Sequence, residues 1–363
     1  MPKKAILIPL FVFISIITIL IILLIIWAIL SPGKIRKYKD KNSLSEKYTI
    51  NINGCKNGFF INSIDINNPV LLLVSSGPGS DDYFLTSKYK DMNLEQYYTI
   101  VYWDYRGMGI AYDKNINIDD ITLDNLVDDC HEVTKYLKEK FNKDKIFLMG
   151  FSGGSTIALN TAKAYPTDYY ALINMAEVVT DSSDRDTSMY NFMKEVFTKK
   201  KQKKLLKKLE DNTIHLDNNK VKCKSWDSYV MLVHDAGGGT ILNKSEKDGI
   251  TIPIILARCY TIKEKINYIK SLKMYKKSPL EKELVNYDYR VDINNIDIPI
   301  YFISGEYDYN CPVDLVEDYY NIISAPKKGF YKIKNAAHSP LWENPSETIK
   351  VLINIKEDNL YEG

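Results

Sequence analysis

Cysteine and histidine are both scarce in this chain of 363 residues, and each scarcity narrows what the protein can do. The five cysteines are an odd number, stand far apart and show no metal-ligand spacing, so we expect neither a disulfide framework nor a metal site. A formal net charge of +2 argues against a nucleic-acid-binding surface. The scattered cysteines are Cys55, Cys130, Cys223, Cys259 and Cys311.

Charge is also absent from residues 5–30, which consist mostly of Ile and Leu. As a helix, a run of this length spans the roughly 30 Å hydrocarbon core of a bilayer. A cleaved signal peptide has a shorter apolar region and a small-residue cleavage site, which Ser31-Pro32-Gly33 matches poorly. We therefore predict an uncleaved transmembrane helix over about residues 5–30, within an N-terminal anchor and linker of residues 1–44.

The basic residues that flank this apolar run leave its orientation open. The more basic side is the C-terminal one, and the positive-inside rule would place that side in the cytoplasm. A short lysine-containing N-terminus before a long domain is, however, also typical of exported, anchored proteins. We expect a single-pass membrane protein and prefer an extracytoplasmic position for the rest of the chain. The basic residues are Lys3 and Lys4 before the run, and Lys34, Arg36, Lys37, Lys39 and Lys41 after it.

Strand and helix patterns alternate through most of residues 45–363, which predicts one α/β domain with a mostly parallel central sheet and helices on both faces. Residues 47–53 and 59–66 are predicted to form an antiparallel hairpin at the sheet edge. The alternation stops between about residues 177 and 292, where the sequence is largely helical and polar. We interpret this segment as a helical cap insertion.

Residues 150–154 read Gly-Phe-Ser-Gly-Gly and stand between a buried-strand pattern and a helix pattern. This is the setting of a nucleophile elbow, a tight turn that exposes a serine above the sheet edge. The turn leaves no room for side chains at Gly150 and Gly154. Ser152 is therefore the predicted nucleophile, and the backbone N–H of Gly153 is a predicted oxyanion donor.

A serine nucleophile needs a base, and the sequence offers four histidines. On a sheet of this kind the expected chain order is serine, acid, histidine. His131 precedes the serine within a helix pattern, whereas His215 and His234 lack a strand–loop setting. His338 follows the strand pattern of residues 329–333 and is the predicted base.

A third residue must orient the histidine ring and stabilise its charged form. Asp308 stands in the loop just after the strand pattern of residues 298–304 and precedes His338 in the chain. Its rivals are Glu306, which is too close to the strand end, and Asp314, which falls in the next helix pattern. We predict Asp308 as the orienting acid.

Five segments of the chain resemble motifs of the proline iminopeptidase (prolyl aminopeptidase) branch of the α/β-hydrolases, and they occur in the same order as in that family. The resemblance covers roughly residues 58–176 and 295–355. It implies an α/β-hydrolase fold and hydrolysis that needs no metal or organic cofactor. The matching segments are Ser75-Ser76-Gly77-Pro78-Gly79, Trp103-Asp104-Tyr105-Arg106-Gly107-Met108-Gly109, Gly150-Phe-Ser-Gly-Gly, Gly305-Glu-Tyr-Asp308 and Ala337-His338-Ser-Pro-Leu-Trp-Glu343.

Two positions depart from the family pattern. The family begins its glycine–proline loop with His-Gly, where this chain has Ser75-Ser76, and it has a Trp after the nucleophile, where this chain has Gly153. The second oxyanion donor is expected to survive, because it is the backbone N–H of Gly77 and not the lost side chain. The missing Trp removes a wall of the pocket. The identity of the substrate is therefore left open, whereas hydrolysis is still expected.

The related aminopeptidases hold the N-terminal amine of the substrate with carboxylates of the cap. No motif match assigns this role to one residue here, and we take Glu177 and Asp181 as the candidate substrate-binding residues. A buried ammonium needs a paired carboxylate, so at least one acid should face Ser152. The acids available early in the insertion are Glu177, Asp181, Asp184, Asp186 and Glu195.

Together these patterns predict a membrane-anchored serine hydrolase that releases an N-terminal residue, with proline as a candidate, from short peptides. A carboxylesterase or acyl-lipid hydrolase is the alternative, favoured by the anchor and the more open pocket. A non-catalytic binding protein with a hydrolase fold is a third interpretation, against which the complete triad pattern argues. The expected partners are a small peptide or ester substrate and, through residues 5–30, the lipid bilayer.

Overall fold

The computed structural model describes residues 4–77, 79–89, 91–285 and 287–360, without the side chains of residues 4–10. The strands are β1 Leu44–Ile52, β2 Cys55–Ser63, β3 Val70–Val74, β4 Thr99–Asp104, β5 Ile146–Phe151, β6 Tyr169–Met175, β7 Thr213–His215, β8 Val221–Cys223, β9 Ile300–Gly305 and β10 Lys328–Ile333. The helices are α1 Lys4–Leu30, α2 Tyr83–Lys88, α3 Leu123–Phe141, α4 Gly153–Ala164, α5 Ser183–Lys199, α6 Lys203–Asp211, α7 Trp226–Ala236, α8 Ile252–Leu256, α9 Ile262–Tyr275, α10 Leu280–Glu283, α11 Tyr289–Asp292, α12 Val313–Ile322, α13 Pro340–Glu343 and α14 Pro345–Leu360.

In the described part of the chain, eight strands form one sheet in the order β1-β2-β4-β3-β5-β6-β9-β10. The strands from β4 to β10 in that order pair in parallel, whereas β2 pairs antiparallel with both β1 and β4. The predicted mostly parallel sheet and the antiparallel edge hairpin are therefore confirmed. Parallel pairing brings the C-terminal ends of β3, β5, β6, β9 and β10 to one edge, where ligands bind in folds of this kind.

Each central strand is buried on both faces, as β3 illustrates. Val70, Leu72 and Val74 belong to one apolar cluster, while Leu71 and Leu73 belong to another, because successive side chains of a strand point to opposite faces. Helix α3 contributes to the first cluster and α14 to the second. Helices therefore cover both faces of the sheet, as predicted, and the buried sheet is a rigid support for the loops at its edge.

Between β6 and β9 the chain leaves the sheet and forms α5 to α11 together with the small antiparallel pair β7–β8. Buried side chains of α5, α6 and α7 make a third apolar cluster of their own. We call residues 177–292 the insertion. Its helical character agrees with the sequence, whereas its limits as a separate cap stay a prediction.

Helix α1 projects away from this domain. Its segment Phe11–Leu30 has a mean hydropathy of 3.2 and is 0% buried. The helix is long and apolar enough to cross a membrane, although a signal sequence near an N-terminus has the same properties. At its C-terminal end, the indole N–H of Trp27 donates a hydrogen bond of 3.0 Å to the carbonyl oxygen of Ile255.

Candidate active site

Ser152 stands at the turn between β5 and α4, with backbone angles φ 52° and ψ −126°. A positive φ costs a residue with a Cβ about 1–3 kcal/mol and persists only where the surroundings impose it. They impose it here, because a Cβ on Gly150 would overlap the Cα of Ser155 and a Cβ on Gly154 would overlap the carbonyl oxygen of Val74. The geometry agrees with the elbow predicted from the sequence.

The fold brings Ser152, His338 and Asp308 into one chain of contacts. Nε2 of His338 lies 2.8 Å from Oγ of Ser152, and Nδ1 lies 3.0 Å from Oδ2 of Asp308. Oδ1 of Asp308 accepts the backbone N–H groups of Asn310 and Cys311, both at 3.0 Å. These two bonds hold the carboxylate so that its second oxygen faces the imidazole ring.

The same contacts set the charge preference of the histidine. Burial opposes a positive charge on His338, but the adjacent carboxylate of Asp308 outweighs that cost and raises the pKa of His338 above its usual value. An imidazole in this setting can take a proton from Ser152 and keep it beside a carboxylate. His234, in α7, has its pKa lowered to about 4 by burial and by the charge of His338, so it stays neutral.

The loop that carries His338 is held on both sides by Glu343. Its Oε1 accepts the backbone N–H groups of Ala337 at 3.0 Å and Ser339 at 2.9 Å. Its Oε2 accepts the N–H of Leu242, in the insertion, at 2.7 Å. Burial raises the pKa of Glu343 to about 7, against these three hydrogen bonds. Glu343 therefore fastens the insertion to the histidine loop.

A run of three glycines, residues 237–239, also joins the insertion to the site. The carbonyl oxygen of Gly238 accepts the N–H of Tyr309 at 3.1 Å, and that of Gly239 accepts the N–H of His338 at 3.3 Å. A Cβ on Gly238 would lie 2.7 Å from the ring of Phe192. The run is thus a close contact with the acid and histidine loops, a role that its sequence alone did not indicate.

The predicted oxyanion donors, Gly77 and Gly153, lie next to each other beside Ser152. A Cβ on Gly153 would lie 2.5 Å from the carbonyl oxygen of Gly77, and a Cβ on Gly77 would overlap the hydroxyl of Tyr105. Only glycine fits at both positions, because the two backbones approach so closely. Both residues line the same cavity as Ser152 and His338.

Ser76 stands where the related loop has a glycine, and Asp82 holds it. The backbone N–H and the hydroxyl of Ser76 donate to the two carboxylate oxygens of Asp82, each at 2.6 Å. Burial raises the pKa of Asp82 to about 7, against these two bonds. Asp82 was not singled out from the sequence. The one feature that could have indicated its role is the position of an acid shortly after the glycine–proline loop.

A cavity of about 410 Å³ separates the sheet edge from the insertion. Most of its walls are apolar and a few polar side chains reach into it, which is typical of sites for small organic ligands. The apolar lining includes Val178, Val179, Val230, Leu284, Val285 and Leu315, and the charged lining includes Glu177, Asp181, Arg185 and Glu281.

Glu177 enters this cavity just after the end of β6. Ala176 before it has φ 53°, a value that is rare for residues other than glycine and turns the chain away from the sheet. Glu177 is buried, and neither of its carboxylate oxygens has a hydrogen-bond partner among the described residues. Burial raises the pKa of Glu177 to about 8, although the nearby side chains of Ser155 and Asn174 oppose the rise. A buried carboxyl group without a partner suits the binding of a cation.

Asp181 lines the same cavity, but its carboxylate is engaged. The guanidinium of Arg185 contacts Asp181 and lies 2.9 Å from Asp186. Arg185 also stacks over the ring of Trp226, at 4.0 Å from the ring centre. An incoming ammonium would have to compete with Arg185 for Asp181, so Glu177 is the better placed of the two candidates.

The other acids considered in the insertion are turned to other partners. Asp184 pairs with Lys220 at 2.6 Å and with Arg290 at 2.7 Å. Asp186 accepts the N–H of Cys223 at 2.8 Å in addition to its contact with Arg185. Glu195 is exposed on α5. The tertiary structure thus leaves Glu177 as the acid of this group that faces the cavity without a partner of its own in the described chain.

Cys311 also lines the cavity, beside Asp308 and Ser152, and is the rival nucleophile to consider. Burial raises the pKa of its thiol well above the usual value, and the neighbouring carboxylates add to the rise. The thiolate that would be needed for attack is therefore disfavoured. All five cysteines are free, and no group of three or more His, Cys, Asp or Glu in the described residues is arranged to hold a metal ion.

Comparison with known proteins finds similarity to hydrolases. Residues 84–232 match the family model described as serine aminopeptidase, S33. The probable aminopeptidase YbaC of Bacillus subtilis (strain 168) is 28% identical over 313 residues, which cover 85% of this chain and 95% of that protein.

Solved structures share the fold at low sequence identity. A proline iminopeptidase of Mycobacterium smegmatis superposes with a TM-score of 0.59 at 13% identity, covering 88% of this chain and all of that one. A bacterial membrane phospholipase A superposes with a TM-score of 0.56 at 14% identity. The superposition covers 99% of this chain and all of the phospholipase chain.

The sheet order, the elbow and these similarities together define an α/β-hydrolase. Within that class, the match to the serine aminopeptidase family model and the similarity to the probable aminopeptidase YbaC mark the chain as a hydrolase enzyme that is similar to proline iminopeptidases.

Proposed function

We propose that this enzyme is a membrane-anchored serine hydrolase that removes the N-terminal residue, with proline as a candidate, from short peptides. Ser152, His338 and Asp308 form its catalytic triad. The observation that carries the proposal is the continuous contact from Oγ of Ser152 to Nε2 of His338, at 2.8 Å, and from Nδ1 to Asp308, at 3.0 Å. A nucleophile, its base and an orienting acid in this order are sufficient for acyl transfer.

In the proposed reaction, Oγ of Ser152 attacks the carbonyl carbon of the first residue while Nε2 of His338 takes the hydroxyl proton. The negative charge that develops on the carbonyl oxygen is stabilised by the backbone N–H groups of Gly77 and Gly153. His338 then gives its proton to the leaving amine, and an acyl-enzyme remains on Ser152. Water, deprotonated by His338, hydrolyses that ester in the second half of the cycle. Asp308 stabilises the charged imidazole in both halves.

Glu177 is the proposed receptor for the free amine of the substrate. The α-amine lies two bonds from the carbonyl carbon, so its binding group must share the cavity with Ser152, as Glu177 does. A buried ammonium is stable only beside a carboxylate. With a pKa of about 8, Glu177 is mostly neutral in the empty site at pH 7, and an arriving cation favours its ionised form.

Hydrolysis of acyl lipids or other carboxylic esters is the second candidate. The valine and leucine side chains in the cavity lining favour it, since they suit an acyl chain better than a charged amine. An apolar helix that reaches a bilayer would place such an enzyme beside its substrate. A purely binding role is disfavoured by the close contact between Ser152 and His338.

A panel of aminoacyl-arylamides, prolyl-arylamide and p-nitrophenyl esters, each assayed with and without an N-acetyl group, separates these candidates. The aminopeptidase proposal expects free-amine substrates to be cleaved and acetylated ones to lose about hundredfold in kcat/KM. Equal rates on blocked peptides and simple esters would replace it with the esterase. Ser152→Ala should abolish turnover and fluorophosphonate labelling, whereas Ser43→Ala, in the turn before β1, should preserve both.

The membrane anchor is proposed from the length, the apolar composition and the exposure of α1. The full chain should stay with membranes during carbonate extraction. Because the flanking charges disagree about orientation, protease treatment of intact cells tests the proposed extracytoplasmic side. Release of the protein into the soluble fraction, or a mature form that begins after Gly33, would refute the anchor.

A further inference from the structure

We propose that an exposed apolar surface of α8 and α9 rests on the lipid bilayer that α1 enters. This inference builds on the proposed anchor. The surface, called here the docking face, consists of Ile252, Ile255 and Leu256 of α8 and Ile266 and Ile269 of α9. Leu256 is 59% exposed and Ile269 is 55% exposed. Its occupant is a lipid surface with its headgroups and the upper part of its acyl chains.

The composition of α8 is the first observation. The helix reads Ile-Pro-Ile-Ile-Leu and has no polar side chain. Pro253 and Ile254 are buried against the domain, so the remaining members face outward. Exposing a large aliphatic side chain forgoes about 1.5–3 kcal/mol of burial, and several such residues together mark a surface that is covered by a partner.

The position of α8 at the end of α1 identifies that partner. Trp27, in the last turns of α1, donates its indole N–H to the carbonyl oxygen of Ile255. The ammonium of Lys265 bridges the same carbonyl, at 2.6 Å, and the hydroxyl of Ser31, at 2.7 Å. It also lies 5.6 Å from the centre of the Trp27 ring. Since Trp near the end of a spanning helix lies at the headgroup level, α8 is held at that level.

Charge complementarity supports a lipid surface. Exposed lysines precede and follow the two exposed isoleucines along α9, and Arg258 is exposed between the two helices. Apolar side chains that enter the acyl boundary, together with lysines that meet lipid phosphates, are typical of helices that lie in the membrane interface. The exposed lysines of α9 are Lys263, Lys270 and Lys273.

The opposite side of α9 connects the docking face to the proposed active site. The hydroxyl of Tyr268 lies 2.8 Å from that of Ser80, and the hydroxyl of Tyr275 donates to the carbonyl oxygen of Arg106 at 2.5 Å. A Cβ on Gly79 would lie 3.1 Å from the carbonyl oxygen of Ser271. Helix α9 therefore lies between the proposed bilayer contact and the glycine–proline loop that contains Gly77.

Fluorescence quenching in proteoliposomes tests the docking face with the full chain. Leu256→Trp places a reporter on that face, and Val291→Trp is the matched control, because Val291 is an aliphatic residue with 74% exposure. Val291 belongs to α11, which contacts α12, and α12 packs on β9 and β10 at one edge of the sheet. In contrast, Glu264 of α9 accepts a hydrogen bond from Lys47 of β1, at the other edge. Vesicles of phosphatidylcholine and phosphatidylglycerol should contain a phosphatidylcholine brominated near the headgroup end of its acyl chains.

The fluorescence that Leu256→Trp adds to the unmodified protein should be quenched at least about twofold more strongly than that added by Val291→Trp. Equal quenching of the two reporters in carbonate-resistant protein would overturn the docking face and leave the anchor in place. Carbonate-extractable protein with no quenching at either reporter would overturn both. Selective quenching of Leu256→Trp in extractable protein would refute the anchor alone.

Discussion

The edge of the sheet and the insertion form opposite walls of one cavity, yet they present their functional groups differently. Ser152, Asp308 and His338 follow the ends of β5, β9 and β10, and each is held by strand ends and backbone hydrogen bonds. The insertion contributes its side chains from helices and turns, as Arg185 and Trp226 illustrate. Under the proposed function, the rigid sheet positions the reacting groups, whereas the insertion decides which molecule can reach them.

Two buried carboxyl groups make the same contrast at atomic scale. Asp308 contacts the N–H groups of Asn310, Cys311 and the His338 ring. Glu177 has no hydrogen-bond partner among the described residues. The partners of Asp308 are therefore internal, which fits its proposed role of orienting His338. Glu177 is proposed to pair with a group that arrives with the ligand.

The largest effect is expected from Asp308→Asn, which tests the proposed orienting role of the carboxyl group with internal partners. The amide oxygen should keep the N–H groups of Asn310 and Cys311, so its NH2 group must turn toward Nδ1 of His338. That arrangement favours the tautomer with a proton on Nε2, which cannot accept the proton of Ser152. We expect kcat to fall about 10⁴-fold with little change in thermal stability.

Two rival acids supply the controls for that experiment. Asp314 accepts a hydrogen bond from Ser188, and Glu306 accepts the N–H of Asn335. Asp314→Asn and Glu306→Gln should each retain nearly full activity. A loss in either variant that equals the loss in Asp308→Asn would mean that the orienting acid has been misassigned.

The second largest effect is expected from Glu177→Gln, which tests the proposed binding of the substrate amine by the carboxyl group without internal partners. Removing the carboxylate should lower kcat/KM for free-amine peptides about hundredfold, because a buried ammonium loses its partner. Ester substrates without an amine should be cleaved at nearly the same rate as by the unmodified enzyme. Glu281→Gln, which changes another acid of the cavity lining, is the matched control and should affect neither class strongly.

The pH dependence sharpens the same test. Since the pKa of Glu177 is about 8, its ionised fraction grows between pH 6 and pH 8. The kcat/KM of free-amine peptides should therefore rise over that range more steeply than that of esters, and Glu177→Gln should abolish the difference. Because the folded pKa lies above the unfolded one, ionisation of Glu177 destabilises the fold as pH rises from about 4.5 to about 8. The melting temperature of Glu177→Gln should accordingly be higher than that of the unmodified protein at pH 8 but not at pH 4. Parallel pH profiles for both substrate classes would argue against amine binding at Glu177.

A smaller effect is expected at Asp82, which belongs to the sheet side but acts through Ser76. Asp82→Ala removes both hydrogen bonds that hold Ser76 and should lower kcat about tenfold through the neighbouring Gly77, with KM little changed. Asp82→Asn can still accept from the backbone N–H of Ser76 and donate to its hydroxyl, so most of the activity should return. If Asp82→Asn were as slow as Asp82→Ala, the positioning role would be wrong.

The smallest effect is expected from deleting residues 1–33, which removes α1 and neither wall of the cavity. The deletion costs the hydrogen bonds of Trp27 and Ser31, each worth about 1 kcal/mol, against a typical domain stability of about 5–15 kcal/mol. Activity on a soluble peptide should stay within about twofold. A loss of folding or of most activity would show that α1 is a structural part of the domain.

The sequence predicted the sheet side of the molecule well, because that side depends on short-range rules. The glycines around Ser152 follow from the steric demands of one turn, and the hairpin of β1 and β2 follows from two neighbouring strand patterns. His338 emerged by elimination among four histidines and Asp308 by its place after a strand. The contacts among the three residues agree with that order, while their catalytic roles await the variants above.

The insertion was predictable only as a helical segment. Five acids were equally available there by sequence, and the structure separates them by partner: Arg185 engages Asp181, Lys220 and Arg290 engage Asp184, while Glu177 faces the cavity. The contacts of the glycine run with Tyr309 and His338, and the bonds between Asp82 and Ser76, were not foreseen. Each of them joins segments whose meeting depends on how the helices pack.

By itself, the sequence determined the order of the strands along the chain, the elbow and the apolar helix, because each is encoded by neighbours a few residues apart and by the local cost of backbone strain. Only the tertiary structure decided which carboxyl group is left unpaired in the cavity and which isoleucines stay exposed beside α1. Those properties depend on burial and on partners that are distant in sequence, and a carboxyl group acquires its pKa from the dielectric and charges that surround it in the folded protein.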